Sequence, residues 1–468
     1  MACAGTGAFA SLARFEIPAN IVTSTIPHIL GQAAWPAVPN SGADLRVPRA
    51  LINDLILRSL WFHGSVTLTS LQKTLKLPFE VVEDFFQEFR QQQLVEVKQT
   101  AGRDYTFTLT SSGRSQAAAR MEICQYVGPA PVSLHEYERV VRAQAATVDV
   151  TRDDLRSAFH DLVLPDALLD QLGPSLIAHQ SLFLYGDTGS GKSSIAQRIL
   201  RIYEDPVVVP YAVHVDGHIV SILDPNVHKL VRFTGDTLDP RWVVCQRPCV
   251  KVGGELSAAM LELRRDEATG VFIAPCQVKA NNGILIIDDF GRQMVSPREL
   301  LNRWIQPLDQ HCDFLTLASG TKFQVPFELL LVFSTNLDPN DLVDEAFLRR
   351  IQTKVLVQDV GAEDFDRIFE RVVETEMVPC DDGCAAHLRH RCLTSGLKVL
   401  RACYPLDIFR LIKAISRYDR RPVRITAENI DRAVDLYFAR TGRRKPAPLV
   451  RRRKPSARTW TQSPASNG

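Results

Sequence analysis

Residues 186–194 read Gly-Asp-Thr-Gly-Ser-Gly-Lys-Ser-Ser, and these residue types at this spacing suit one ligand chemistry, a chain of phosphates. Gly186, Gly189 and Gly191 let the backbone curl with its amides facing inward, with Asp187, Thr188 and Ser190 between them. Lys192 is placed to reach the β and γ phosphates, the Ser193 hydroxyl to bind a Mg²⁺ that bridges them, and Ser194 ends the loop. The apolar run 182–185 reads as a strand before the loop and Ser193 onward as a helix after it; chance rarely frames the spacing this way.

Such chemistry needs acids, and "GILIIDDFGRQ", 283–293, carries two at the end of an apolar run. Asp288 is expected to hold the Mg²⁺ through water, and Asp289 to polarise the attacking water. Sites of this kind more often carry Glu at the second position. Asp289 is one methylene shorter, which sets its carboxylate back by roughly 1.5 Å and predicts slow hydrolysis. "FELLLVFSTNLDP" is another buried strand ending at Asn336, a polar group able to orient the water. In "DLVDEAFLRRIQTKV", Arg349 and Arg350 are adjacent on an expected short helix. They either pair with nearby acids or reach the γ-phosphate on a neighbouring subunit, a contact worth ~10³ to 10⁵ in rate.

The elements that must position these groups follow from pattern. Residues 1–47 have no sustained period and read as a leader or linker. Over 48–125, "RALINDLILRSLWFHG", "TLTSLQKTLKL" and "PFEVVEDFFQEFRQQQL" have helical spacing. "LVEVKQTAGRDYTFTLT" alternates on either side of Gly102 as a hairpin, and a further helix follows. Residues 126–150 read as a connector. From 151 short apolar strands alternate with helices, giving an α/β unit over 151–360 and a helical piece over 361–440.

Composition sets outer bounds. The 468 residues suffice for about three domains, and the 45% hydrophobic and 23% charged shares are ordinary for a globular chain. No apolar run approaches a membrane span, and the first residues lack the pattern of a secretion signal, so a cytoplasmic location is expected. Ten scattered cysteines do not suggest a disulfide framework. Cys380, Cys384, His387, His390 and Cys392 could bind zinc, but their spacing fits no closed zinc site and a packed helix is favoured; Cys245 and Cys249 have a weaker case still. The net charge of +2 hides an asymmetry: from Arg440 on there are nine Lys or Arg and no acid, so the rest is net acidic. The Pro-rich tail 441–468 reads as disordered and basic, a solvated segment or one that touches nucleic acid, an anionic membrane or an acidic partner.

Three helices, a hairpin and a helix over 48–125 resemble a winged-helix domain. Its presumed recognition helix buries Phe79, Val82, Phe86 and Phe89 and shows Glu80, Glu83, Asp84 and Glu88 against one base, Arg90. That face would repel phosphates, so protein interaction is expected ahead of DNA binding. Over 151–440 the order and spacing of the motifs resemble the AAA+ ATPase superfamily, an α/β P-loop NTPase core with a helical lid. With the N-terminal domain, "YVGPAPV", "GGEL", "QVKANNGILIIDDFGRQ" and "LLNRWIQPLD" look like a bacterial family known only as AAA-type ATPases.

The resemblance implies ATP and Mg²⁺ as ligands, residues 186–194 as the phosphate loop, and Asp288 and Asp289 as metal and water acids. It also implies Asn336 as first sensor and Arg349 and Arg350 as arginines acting in trans. "CDFLTLASGTKFQVP" resembles the hairpin that helicase loaders, metal chelatases, MoxR-like proteins and enhancer-binding activators insert before the sensor strand, turning here at Ser319–Gly320. Such relatives form homo-oligomeric rings, generally six-membered, that remodel a partner. The chain departs from the pattern at Asp187 and Thr188, where prolines are common, and at Asp289. It also has Leu406, in "YPLDIFRLIKAI", in place of a lid arginine, with Arg410 one turn on. The leading expectation is an ATP hydrolase that remodels or assembles a client recruited by the N-terminal domain and tail. The alternative is an ATP-dependent binding switch or DNA-associated regulator with little turnover. A DNA motor ranks last, because the hairpin offers only Lys322 as a base.

Overall fold

A computed structural model of the chain describes residues 35–438, apart from 103, 146–148, 179–180, 204, 234, 236, 340–348, 352 and 396–398. The leader up to 34, most of the expected helix before Arg349, and the basic tail lie outside the described residues. The chain divides into two compact units. One runs to Asp364 and includes Arg401–Cys403; the other is Phe365–Leu400 with the chain from Tyr404.

The first unit begins with helices Arg49–His63, Leu68–Leu75 and Phe79–Gln91, strands β1 (Ser65–Thr67), β2 (Val95–Ala101) and β3 (Asp104–Leu109), and helix Ser111–Ile123. Thr67 starts the second helix through a reciprocal cap with Ser70. Pro78 precedes the third, which buries Val81, Val82, Phe85, Phe86 and Phe89; of the four residues expected, Phe79 at the first turn is only partly buried, and Val81 and Phe85 join the stripe instead. The sheet order is β1-β3-β2, antiparallel throughout. Arg49 crosses from the first helix to Asp84 (3.0 Å) and Glu88 (2.7 Å) and lies over the Phe85 ring, so part of the acidic face is already neutralised.

The later strands, in chain order, are β4 (Val132–Ser133), β5 (Leu182–Tyr185), β6 (Val207–Pro210), β7 (Ala212–Val215), β8 (His218–Ser221), β9 (Trp242–Cys245), β10 (Cys249–Val252), β11 (Arg264–Arg265), β12 (Phe272–Ile273), β13 (Ile284–Ile287), β14 (Cys312–Thr316), β15 (Lys322–Pro326), β16 (Leu330–Thr335) and β17 (Thr353–Leu356). The stretch read as a connector supplies β4 and helix Leu134–Ala143, and β4 joins a second sheet of order β11-β12-β8-β7-β4, with β6 and β9 paired beside it. This sheet was not expected within the α/β unit. An ion pair buried to 1% exposure on each side, Arg241–Asp239, ties it to the Leu45 and Pro131 carbonyls; the hydrogen bonds satisfy a guanidinium that burial would otherwise penalise.

The sheet that matters for the site has order β10-β13-β16-β5-β17, every pairing parallel. Side chains alternate between two cores. Phe183, Leu285, Ile287, Leu331 and Phe333 enter one. Leu182, Leu184, Ile284, Ile286, Leu330 and Val332 enter the other. Burial on both faces is why these strands read as unbroken apolar runs. At Gly283, just before β13, a Cβ would lie 2.0 Å from the Pro248 carbonyl oxygen. β14 and β15 form the expected hairpin, closed by Gly320 in the left-handed region. Its base is fixed by buried Asp313, which pairs with Arg303 and accepts from Gln277.

In the second unit, helices Cys384–Ser395, Tyr404–Tyr418 and Ala427–Tyr437 follow helix Ala362–Glu376, which enters from the first. The cysteine-histidine cluster is not one continuous helix: Cys380 bridges to Ile425 and the helix begins at Cys384. Cys384 and Cys392 are buried, and His387 pairs with Asp431 at 2.8 Å. Among the described residues no group of three or more His, Cys, Asp or Glu could hold a metal. No described helix is long and apolar enough to cross a membrane.

Candidate functional site

Strands β5, β13 and β16 are parallel neighbours, so the segments that leave their C-terminal ends are brought together, the usual ligand position in an open α/β sheet. β5 leads into the loop 186–191. Gly186 has φ 141° and a Cβ there would lie 2.3 Å from the Val357 carbonyl oxygen, so no other residue fits. Lys192 is 8% exposed, and its Nζ donates to the carbonyls of Gly186 (2.9 Å) and Asp187 (2.7 Å) and to the Ser190 hydroxyl (3.3 Å). Burial pushes its pKa below the ordinary lysine value, against the pull of Asp187, Asp289 and Asp288.

Ser193 Oγ donates to Asp288 Oδ1 at 2.7 Å across 95 positions of sequence. The Asp288 backbone N–H is held by the Val252 carbonyl (2.8 Å), and Lys251 of β10 places its ammonium 2.7 Å from Asp288 Oδ2. Burial raises the Asp288 pKa, but hydrogen bonds from Lys251, Ser193 and Ser334 outweigh it and keep the group below the usual carboxylate range. The two facing hard oxygens, hydroxyl and carboxylate, fit a Mg²⁺.

Asp289 is exposed and left-handed, φ 51°, which an aspartate tolerates better than most residues. Its turn is pinned by Gln293, whose Nε2 donates to the carbonyls of Asp288 (2.9 Å) and Asp289 (3.2 Å) and whose Oε1 accepts from Gly291 N–H (2.8 Å). β16 holds the other side: Phe290 N–H donates to the Ser334 carbonyl and Thr335 Oγ1 to the Phe290 carbonyl, each at 2.7 Å. Asn336 Nδ2 donates to Thr188 Oγ1 at 3.1 Å, so the polar end of β16 touches the loop 186–191.

The structure therefore brings together the loop, Asp288, Asp289 and Asn336. The arginines are placed differently: Arg350 forks onto Asp309 of helix Pro297–Gln310 (3.2 and 3.0 Å), and Arg349 is exposed. Leu406 and Arg410 lie on helix Tyr404–Tyr418, where Arg410 faces Asp407 at 3.6 Å.

Three residues at the site carry no role in the sequence reading, although Gln293 closes the run 283–293. Lys251 and Gln293 reach it through pairing and turn geometry. Arg401 stands by the loop with its guanidinium 3.9 Å from Asp187 and its Nε buried without a hydrogen-bond partner. Two residues on, Cys403 N–H donates to the Gly189 carbonyl (3.2 Å). The one available signal was an arginine five positions before Leu406, where a lid cation was sought.

A family described as a domain of unknown function, DUF8689, matches residues 361–436. No curated protein matches the chain in sequence. Among solved structures the chain is similar to a Thermotoga maritima RuvB mutant, at 10% identity and TM-score 0.34, over 62% of this chain and 73% of that one. It is similar also to NtrX from Brucella abortus, at 16% identity and TM-score 0.38, over 61% of this chain and 57% of that one. A second NtrX structure, in complex with ATP, has 14% identity and TM-score 0.36, over 63% of this chain and 58% of that one.

Proposed function

We propose that the chain is an AAA+ ATPase that binds ATP with Mg²⁺ at the ends of β5, β13 and β16 and hydrolyses it slowly to remodel or assemble a partner protein. The observation that carries this reading is the Ser193–Asp288 hydrogen bond, which joins the phosphate loop to the acidic strand end in a single chain. Loop amides and Lys192 would hold the phosphates. Ser193 directly, and Asp288 through water, would hold the metal, whose chemistry is to neutralise charge between the β and γ phosphates. Asp289 would take the proton of the attacking water, and Asn336, tied to Thr188, would orient that water.

The site shares its hydrolytic work with a neighbouring copy, in a homo-oligomeric ring that is six-membered in the superfamily. Arg349 supplies the cation in trans, while Arg350 stays with Asp309. The N-terminal module, read as a winged helix, recruits a protein client; the acidic face of helix Phe79–Gln91, partly covered by Arg49, supports that over DNA. An ATP-consuming remodeller of this kind works in the cytoplasm. The second reading, a nucleotide-held binding switch, is favoured by the exposure and short side chain of Asp289. ATP turnover per protomer across protein concentrations tests both. A rate that climbs and saturates supports the first, and a flat near-zero rate with nucleotide bound supports the second.

A further inference from the structure

We propose that Lys251 is a cation built into the fold to compete with the metal for Asp288, setting a high Mg²⁺ requirement on nucleotide binding. The inference deepens the ATP–Mg²⁺ reading and rests on it. β10 lies parallel to β13 with Lys251 opposite Ile286, two residues before the acid. The Val252 carbonyl receives the Asp288 N–H, so the ends of the two strands are fastened and the carboxylate is presented to the Lys251 stem. Both oxygens of Asp288 are engaged, Oδ1 by the Ser193 hydroxyl and Oδ2 by the Lys251 ammonium. The first contact belongs to a metal-binding pair of oxygens. The second places a positive charge on the carboxylate that should attract a divalent ion.

Lys251 does not fill this place for want of another. Its side chain is 42% exposed against 16% for Asp288, so the ammonium can leave for water without a burial cost. Glu255, four residues on in the Gly-Gly-Glu turn, is an acid near enough to feel the same ammonium, and its carboxylate is fixed by the Gly253 N–H at 2.9 Å. The lysine thus has one partner at the metal site and a second acid beside it. A divalent ion entering beside Ser193 meets a like charge a few ångströms away, and at a partly solvated site such a charge is worth about tenfold or more in affinity.

The test is a Mg²⁺ titration of N-methylanthraniloyl-ADP binding by the full chain, in buffered free magnesium, for the parent, Lys251→Met and Lys251→Arg. The proposal expects Lys251→Met to reach half-maximal binding at about tenfold lower free Mg²⁺, and Lys251→Arg, which keeps the charge, to stay near the parent. An unchanged or higher midpoint in Lys251→Met, with nucleotide still bound by the parent, would overturn the role of Lys251 alone. A parent that binds no nucleotide at any magnesium concentration would overturn both this inference and the ATP reading. The readout is binding, so slow turnover does not mask it.

Discussion

Lys192, Ser193 and Asp288 sit in a web of hydrogen bonds of 2.7 to 3.3 Å supplied by one chain, whereas Asp289 and Arg349 are exposed and Arg350 is held by Asp309. The first group is the part that would bind phosphate and metal, and the second is the part that would break the bond. Groups that only bind can be organised ahead of time by the fold that carries them. Under the proposed mechanism Arg349 would meet the γ-phosphate of a neighbouring subunit and Asp289 a water at its own site, so neither is expected to be fixed before ligand and neighbour arrive.

The largest expected effect falls on the open half. Arg349→Ala should lower ATP turnover by about 10³-fold at saturating protein while leaving nucleotide affinity near the parent. If that variant turns over normally and the parent rate does not depend on protein concentration, both halves belong to one chain and the contrast disappears. Next comes Asp289→Asn, expected to keep binding and lose about 10²- to 10³-fold in rate, measured by single-turnover hydrolysis. Parent-like hydrolysis by this variant would falsify the assignment of the water acid.

On the closed half, Lys192→Ala should weaken N-methylanthraniloyl-ATP binding by about hundredfold, the loss of charge-assisted bonds. Only the protonated lysine attracts phosphate, so parent affinity falls as pH rises through its pKa. Burial sets that value below the ordinary lysine range, and the alkaline decline should begin correspondingly early. The smallest effect is expected for Arg401→Gln, about tenfold in affinity, because Arg401 adds one cation beside a loop already furnished with Lys192. An unchanged affinity would mean its buried Nε serves packing alone.

The strand–loop–helix around residues 186–191 and the strand ending at Asp288 were legible because their pattern is local. A four-residue buried strand followed at once by Gly-rich or acidic residues is a single contiguous word, and the parallel sheet keeps such strands apolar on both faces. The second sheet was not legible. Three of its strands, β4, β11 and β12, are two residues long, and β4 pairs with β7 from about eighty positions away. No periodicity survives in two residues, so only the folded chain reveals them. Lys251, Gln293 and Arg401 were hidden for a related reason: each enters the site through a neighbouring strand, a turn or a distant segment. The contact of Arg350 with Asp309 is a case where an open alternative, pairing with a nearby acid, describes the residue.

Gly283 makes the chemistry at Asp288 sensitive to a position that touches no ligand. Five residues separate the two, roughly 16 Å along a strand, yet a methyl group at Gly283 would press on the Pro248 carbonyl from 2.0 Å. Gly283→Ala would act as a wedge at one end of the β10–β13 pair, and Lys251 and Asp288 ride on the strands it parts. Adding one carbon atom at this close approach should shift the spacing between Asp288 and Lys251, which follow on the two strands it adjoins.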